Sequence, residues 1–519
     1  MAQGSIAVAV ALACAAWSLF IWVVQSIGCY KIFRHLSSAP CKPVSPTLSH
    51  DEIPHVTIIR PAKGLDPSLY ECLASTFRQL YPREKLTICL CVSSESDPAY
   101  KILERVVADF PGFDARVLVE EQDPFLHGEH GHANHLGPNP KIRNVSRAYR
   151  EARDGVIWIA DCNVWLSKGA AGRMVDKLCG FRPGGRRAKP YKFVHHLPLV
   201  VDIGSARTAQ ARSLLRTDSA PAVAGPNGGS RLDEMFMATT HAKFYSAINA
   251  VGVAPCIVGK SNMFRKVHLD RLTDPARNPT IAPADARRGR GIDFFSSIIC
   301  EDHIIGEVLW KSDMPGYRNH GLLYGDLAIQ PIAGMSIAAY IGRRVRWLRV
   351  RKWTVILATL VEPGVESLLC SAYFSYAATT LPWMRDVFGI PQTWSTMGRV
   401  WFAAVFAWAC VDRIVYDQLH KLQSVEVDDD TPIFARGTAR RNGLEPKSLG
   451  TWLLAWLGRE LLALPIWTWA VLLGTTVNWR GKIFKVRSDM TVVEAGPTET
   501  IPKHNGHALP TSNGKARDA

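Results

Sequence analysis

A chain of 519 residues has room for several domains and for a large core. Its formal net charge is +15, yet no helix-turn-helix pattern or aromatic-basic RNA signature accompanies that charge, so nucleic acid is set aside as a partner. Hydrophobic residues make up 47%, but they concentrate near the N-terminus and after residue 353, which excludes a uniformly soluble chain and implies a soluble domain held between membrane segments.

In chain order, Ile6 to Ile27 carries no charge and is long enough to cross a bilayer core of roughly 30 Å. Lys31, Arg34 and His35 follow at once, which reads as a signal anchor with residue 31 onward facing the cytosol. A Pro/Ser-rich linker leads to Val56–Pro61, a short buried strand with a Pro stop. A helix through Leu69, Leu73 and Phe77, a strand over 86–92, a helix over 101–109 and a strand over 115–119 come next. The segment around His127, His130, His132 and His135 is Gly-rich and reads as a solvated loop insertion, not a metal site. A helix reaches Glu151, and Gly155–Asp161 is a buried strand ending on an acid. Strands alternating with helices of this length predict a parallel sheet, where ligands bind beyond the strands' carboxyl ends. Asp97 and Asp161 both fall there.

Two polar interruptions, 204–230 and 273–291, are expected as loops around the site. Between them Val258–Phe264 is strand-like, with Gly259 allowing close backbone approach. Cys300-Glu301-Asp302-His303 opens a helix, whose positive end suits a carboxylate base. Arg343-Arg344-Val345-Arg346-Trp347 lies just ahead of the apolar region. Its arginines can clamp phosphate in planar bidentate fashion, and its Trp can wall the site. Three apolar blocks follow, near 355–382, 400–416 and 453–477. The first holds Glu362, Pro363 and Glu366 and is expected to bend. The third carries Arg459 and Glu460, which cannot face each other on one helix, and is expected to form a re-entrant hairpin. The twelve cysteines are scattered with no C-x-x-C pair, as in reduced thiols of a cytosolic compartment.

The acid pair followed by R-x-x-R-W resembles the membrane-associated inverting glycosyltransferases, whose signature is three separated Asp positions and (Q/R)-x-x-R-W. The runs P-A-K-G-L-D-P (61–67), S-D-P-A (96–99), N-P-K-I-R-N (139–144), W-I-A-D (158–161), V-H-H-L-P (194–198) and C-E-D-H (300–303) resemble the ceramide glucosyltransferase family in matching order. That resemblance implies a GT-A-type, Rossmann-like α/β transferase domain that moves glucose from UDP-glucose to the primary hydroxyl of ceramide with inversion. It implies Asp302 as base, with Glu301 and His195 beside the chemistry. It implies Lys63, Asp97, Asp161, Arg343, Arg346 and Trp347 for the donor, and Mg2+ or Mn2+ at Asp161. Asp161-Cys162-Asn163 departs from D-x-D, so a cation would lean on water and phosphate. The implied setting is a Golgi or ER membrane, multi-pass, with the catalytic domain facing the cytosol and the lipid bilayer as a partner.

The expected division is an anchor at 1–30, a linker at 31–52, a transferase domain at 53–352, a membrane region at 353–487 and a disordered tail at 488–519. The rival readings are a processive polysaccharide synthase of the chitin or hyaluronan type, for which three apolar blocks are few, and a non-catalytic membrane adaptor.

Overall fold

A computed structural model describes residues 2–128, 136–204, 228–281, 285, 288–479 and 481–495. His130, His132 and His135, most of the 204–230 insertion, part of the 273–291 interruption and the tail beyond 495 lie outside the described residues.

A seven-stranded sheet forms the centre, in the order β3 (Asp114–Val119), β2 (Leu86–Val92), β1 (Val56–Pro61), β4 (Val156–Ala160), β6 (Ser261–Arg265), β5 (Tyr191–Asp202) and β7 (Arg318–Ile332). β1 (Val56–Pro61), β2 (Leu86–Val92) and β4 (Val156–Ala160) are buried along their whole length. Their unbroken apolar runs therefore form the parallel middle, covered on both faces. β3 (Asp114–Val119) takes the parallel edge, and its first residues are partly exposed. β6 (Ser261–Arg265) runs antiparallel to β4, so the segment entering it, Gly259-Lys260, arrives at the edge where β4 leaves. β5 (Tyr191–Asp202) and β7 (Arg318–Ile332) pair in parallel and complete the far side. The α/β Rossmann-like layout is thus as expected, and β5 and β7 are additions to it.

β5 escaped the sequence reading because His195, His196 and Pro198 interrupt its apolar run. The histidines are nonetheless buried, with His195 Nδ1 2.5 Å from the Tyr245 hydroxyl and His196 Nδ1 2.7 Å from Ser261 Oγ. Paired imidazoles can occupy a core strand because their polar atoms are partly satisfied there.

Among the described residues two helices are long and apolar enough to cross a membrane, Ser5–Leu36 and Leu449–Leu472. The first apolar block is a broken pair, Ile356–Val365 and Ser367–Thr380, bent by 75°. The block near 400–416 lies in a 27-residue helix, Trp394–His420, which also carries Arg399, Asp412, Arg413 and Asp417. The re-entrant hairpin expected for the third block is not found, since Leu449–Trp467 is a continuous helix. Its Arg459 and Glu460 stay inside, where Arg459 Nη1 donates to Glu366 Oε2 at 2.9 Å and Arg459 Nη2 also contacts Glu460 and Asp412. Contrary to expectation the two adjacent side chains do meet, and Glu366 and Asp412 of neighbouring segments complete the neutralisation, so the backbone has no reason to fold back. The first block does bend as expected, at Glu366 between its two helices.

Residues expected at the end of the third span and the start of the tail form a small antiparallel sheet of β8 (Thr476–Trp479), β9 (Lys482–Val486) and β10 (Val492–Glu494). Phe484 and Val492 are buried in it against Ile299. It also grips the segment ahead of the acid pair, through Val492 N–H to the Ser297 carbonyl at 2.8 Å.

The N-terminal helix (Ala2–Leu36) packs on the helix Ala242–Val251. A Cβ added at Gly28 would stand 2.1 Å from the Lys243 carbonyl oxygen, so the two backbones meet as small residues allow in membranes. Gly28→Ala is expected to push these helices apart and cost about 1–3 kcal/mol. Thermal unfolding of the detergent-solubilised protein would register it as a lowered midpoint.

Candidate active site

Asp161 follows β4, and Glu301 and Asp302 open the helix Glu301–Lys311. The structure brings the three together around one ammonium group. Lys141 Nζ lies 3.2 Å from Asp161 Oδ1 and 3.2 Å from Glu301 Oε1. Lys260 Nζ lies 2.9 Å from the other Asp161 oxygen. Both lysines are positioned by local structure. Asn139 caps the helix Pro140–Arg150, its side chain accepting from the Lys141 and Ile142 amides, and Pro140 sets the first turn. The Asn139 amide nitrogen also donates to Glu301 Oε2 at 3.1 Å and to the Ile298 carbonyl at 2.5 Å. Gly259 closes the cluster. A Cβ there would lie 2.9 Å from Asp302 Oδ2 and 3.0 Å from Lys141 Nζ, the close approach expected of this glycine.

The electrostatics separate the acids. Burial opposes ionisation of Asp161, but the ammonium groups of Lys141 and Lys260 outweigh it and hold the carboxyl below its ordinary value. Burial raises both Glu301 and Asp302, and Lys141 offsets it only in part. For Asp302 the charge of Asp161 pushes further in the same direction. Burial likewise opposes the charge on Lys141, yet the three carboxylates keep it protonated and raise its value. One acid is thus permanently ionised, while the pair at the helix start is more basic than usual.

Asp97 sits beyond β2, where Oδ1 accepts from the Gly64 and Ala99 amides at 2.8 and 2.9 Å. These bonds tie the loop after β1, with its exposed Lys63, to the loop after β2. Asp66 joins the same edge, accepting from Asn163 Nδ2 at 3.1 Å, and burial raises its carboxyl. His195 lies within β5. Burial, then the neighbouring His320 and His196, holds its imidazole far below the ordinary value, so it is neutral. Its Nε2 has no partner among the described residues.

The R-x-x-R-W residues lie on the helix Ile337–Arg351. Arg343 stacks over the Trp347 ring at 4.7 Å, with Nη1 3.5 Å from Asp233 Oδ2. Trp347 packs on Val200, Phe236, Met237 and Ile332, and Arg346 is half-buried beside it. Arg343 therefore gathers around Asp233, whereas Asp161, Glu301 and Asp302 gather around Lys141. The acid helix touches the membrane region through Cys300 Sγ, 3.4 Å from Thr354 Oγ1.

Asp161 offers one firmly ionised carboxylate, and Lys141 bridges it to Glu301 as a cation would. Among the described residues no group of three or more His, Cys, Asp or Glu side chains could hold a metal. A divalent cation placed here would draw its remaining ligands from donor oxygens or water. Sequence reasoning did not single out Lys141, Lys260 or Asp66. Their signal was present in N-P-K-I-R-N, G-K-S-N and G-L-D-P, but a lone lysine in a polar stretch reads as surface.

A mixed α/β sheet thus carries acids and lysines converging on its carboxyl edge and is followed by a basic helix and apolar helices. The chain belongs to glycosyl transferase family 21, whose model it matches over residues 18–185 and 281–492. It is 58% identical over 487 residues to a ceramide glucosyltransferase of Pyricularia oryzae, covering 93% of this chain and 94% of that one. It is 34% identical to a ceramide glucosyltransferase of Komagataella phaffii, over 92% of this chain and 90% of the other. Among solved structures, a mannosyltransferase of Pyrobaculum calidifontis, in complex with GDP-Man and Mn2+, aligns at TM-score 0.40 and 15% identity, over 80% of this chain and 98% of that one.

Proposed function

We propose that the protein transfers glucose from UDP-glucose to the primary hydroxyl of ceramide, with inversion at the anomeric carbon. The observation that carries the chemistry is the split in the acid cluster. A permanently ionised Asp161 faces, across the Lys141 ammonium, a helix-start Asp302 made more basic by burial. The relatives named ceramide glucosyltransferase support the choice of substrates.

In this reading Asp97 receives the uracil N–H, and Lys63, Lys260 and the R-x-x-R-W residues Arg343, Arg346 and Trp347 hold the donor. A divalent cation, Mg2+ or Mn2+, ligated by Asp161 would offset the charge of the diphosphate. The ceramide hydroxyl oxygen attacks the anomeric carbon while Asp302 takes its proton, and UDP leaves from the opposite face with the bonding electrons. Glu301 keeps Lys141 in place, and neutral His195 lies on the acceptor side behind Tyr245. The transferase domain, residues 53–352, would face the cytosol from a Golgi or ER membrane.

The test is incubation of purified protein in lipid nanodiscs with labelled UDP-glucose and ceramide, followed by analysis of the product lipid. Labelled glucosylceramide is expected, and its absence with ceramide while another lipid is labelled would replace the acceptor. Nuclear magnetic resonance of the product should show the β-anomer from the α-linked donor. An α-product would rule out single displacement.

The pH profile follows from the raised Asp302 value. As pH falls, Asp302 takes up its proton earlier than an ordinary carboxyl, so the acid limb of kcat/KM should lie above the ordinary carboxylate range. Lys141→Met removes the ammonium that favours the charged form, and should shift that limb to still higher pH. An unmoved limb would remove Lys141 from the account.

A further inference from the structure

The helical stretch Leu449–Leu472 is long and apolar enough to cross a membrane, yet both of its ends are fastened to the transferase domain. Ahead of it, Glu426 accepts from Arg173 Nη2 at 2.8 Å and Asp428 pairs with Lys168. Lys447 Nζ then lies 3.4 Å from Asp202 Oδ2 at the end of β5. Behind it, Lys352 Nζ donates to the Val471 carbonyl and Arg349 Nη1 to the Thr476 carbonyl, each at 2.6 Å. The strands that follow bring Val492 N–H to the Ser297 carbonyl at 2.8 Å, just ahead of the acid pair. At the rise of an α-helix the stretch is about 36 Å long. Standing upright, it would carry its second set of contacts to the far side of a hydrocarbon core roughly 30 Å thick.

The middle of the helix fixes its depth. Trp456 Nε1 donates to Asp412 Oδ2 at 2.8 Å, and Asp412 Oδ1 lies 2.5 Å from Lys243 Nζ. Lys243 in turn meets the N-terminal helix at Gly28. That position is one residue past the charge-free run Ile6–Ile27 and just ahead of Lys31, so the helix midpoint sits where the anchor leaves the hydrocarbon. One face is packed on protein along its length, with Trp452, Trp456 and Arg459 buried, and with Ile466 and Ala470 against Leu232, Tyr340 and Leu348. The opposite face exposes Leu453, Leu454, Leu457, Leu461, Leu464 and Leu472, and no exposed position of the stretch is charged. Arg440, Arg441 and Lys447 precede the helix, while Lys482, Lys485 and Arg487 follow it. A single crossing would set these cations on both sides of the membrane, against the usual bias to one side.

We infer that Leu449–Leu472 lies in the plane of the leaflet next to the transferase domain, with its leucine face among the acyl chains and its other face on the domain. The lipid surface is the partner of that face, which continues the apolar surface of the N-terminal helix. The chain then crosses the bilayer with its N-terminal helix, every later excursion returns, and the C-terminal strands stay on the domain's side. Because those strands hold the segment ahead of Glu301, the helix also sets the height of the acid pair above the leaflet. Sides are defined here relative to the transferase domain, and the cytosolic reading above supplies only the name of the leaflet.

The experiment places a spaced N-glycosylation acceptor ahead of Met1 or after Ala519 of the full chain, expressed in microsomal membranes, and reads the glycosidase-sensitive mass shift against the untagged chain. A shift with the N-terminal acceptor alone is the expected result. A shift with the C-terminal acceptor alone would keep the in-plane helix and overturn the cytosolic reading. A shift with both, or with neither, would put the termini on one side and overturn the in-plane helix. A second arm uses the full chain in nanodiscs of phosphatidylcholine that carries a diazirine either beside the acyl carbonyl or at the chain end. The shallow probe should label the helix from Leu453 to Leu472, and the deep probe should label Ile6–Ile27 with loss of labelling on Leu449–Leu472. Deep-probe labelling concentrated around Leu457 and Leu461 would show a crossing helix. Absence of labelling by either probe would show the leucine face covered by a second copy of the chain, and each of these results would contradict the inference.

Discussion

Asp302→Asn is expected to lower glucosyl transfer ~10²–10⁴-fold while leaving UDP-glucose binding close to wild type, the loss typical of removing a general base. The replacement keeps the size of the side chain, so the helix start and the contact with Gly259 are retained. It removes the proton acceptor, and it relieves Asp161 of a like charge. Because Lys141 retains Asp161 and Glu301 as counter-ions, the donor side of the cluster should hold together. Single-turnover transfer and donor titration on the same preparation would separate the two effects. A variant with near-normal turnover would remove Asp302 from the mechanism.

Asp161→Asn should act on the opposite side of the reaction. It leaves Lys141 and Lys260 facing an amide that carries no charge, and it removes the one chain ligand proposed for a divalent cation. A charge-assisted contact contributes about 1.5–3 kcal/mol, so donor affinity should fall about 10–100-fold, with the metal dependence of binding lost alongside it. Glu301 and Asp302 should at the same time ionise more readily, since Lys141 is then shared between fewer carboxylates. Calorimetric titration of UDP-glucose with and without Mn2+ checks this. Unchanged affinity and unchanged metal response would contradict the role given to Asp161.

The parallel half of the sheet was legible in the sequence because β1, β2 and β4 are continuous apolar runs that only a doubly covered sheet explains. The strand-end acids were legible for the same reason, since a sheet of this kind fixes where its ligands bind. The far half was not, because β5 and β7 carry histidines whose partners, such as Tyr245, come from distant segments. The same physics explains Arg459 and Glu460. Two charges in an apolar block imply a fold-back when only the block is read, but Glu366 lies 93 positions away and neutralises Arg459 in place. The lysines of the active site are the most instructive omission. Lys141 becomes recognisable only when Asp161 and Glu301 approach from separate elements, since its meaning lies in that triangle and not in its own neighbours. The C-terminal strands are short, with Lys482 and Lys485 in the middle one, and they form because Phe484 and Val492 find Ile299 ahead of the acid pair.

The most direct test of the account is an experimental structure of the protein with intact UDP-glucose and a divalent cation, made on Asp302→Asn to prevent turnover. The account predicts the uracil at Asp97, the diphosphate between Lys260 and a cation on Asp161, and the anomeric carbon facing residue 302 on the side away from the phosphate. A donor whose diphosphate lies away from Asp161, or whose anomeric carbon faces away from residue 302, would contradict it.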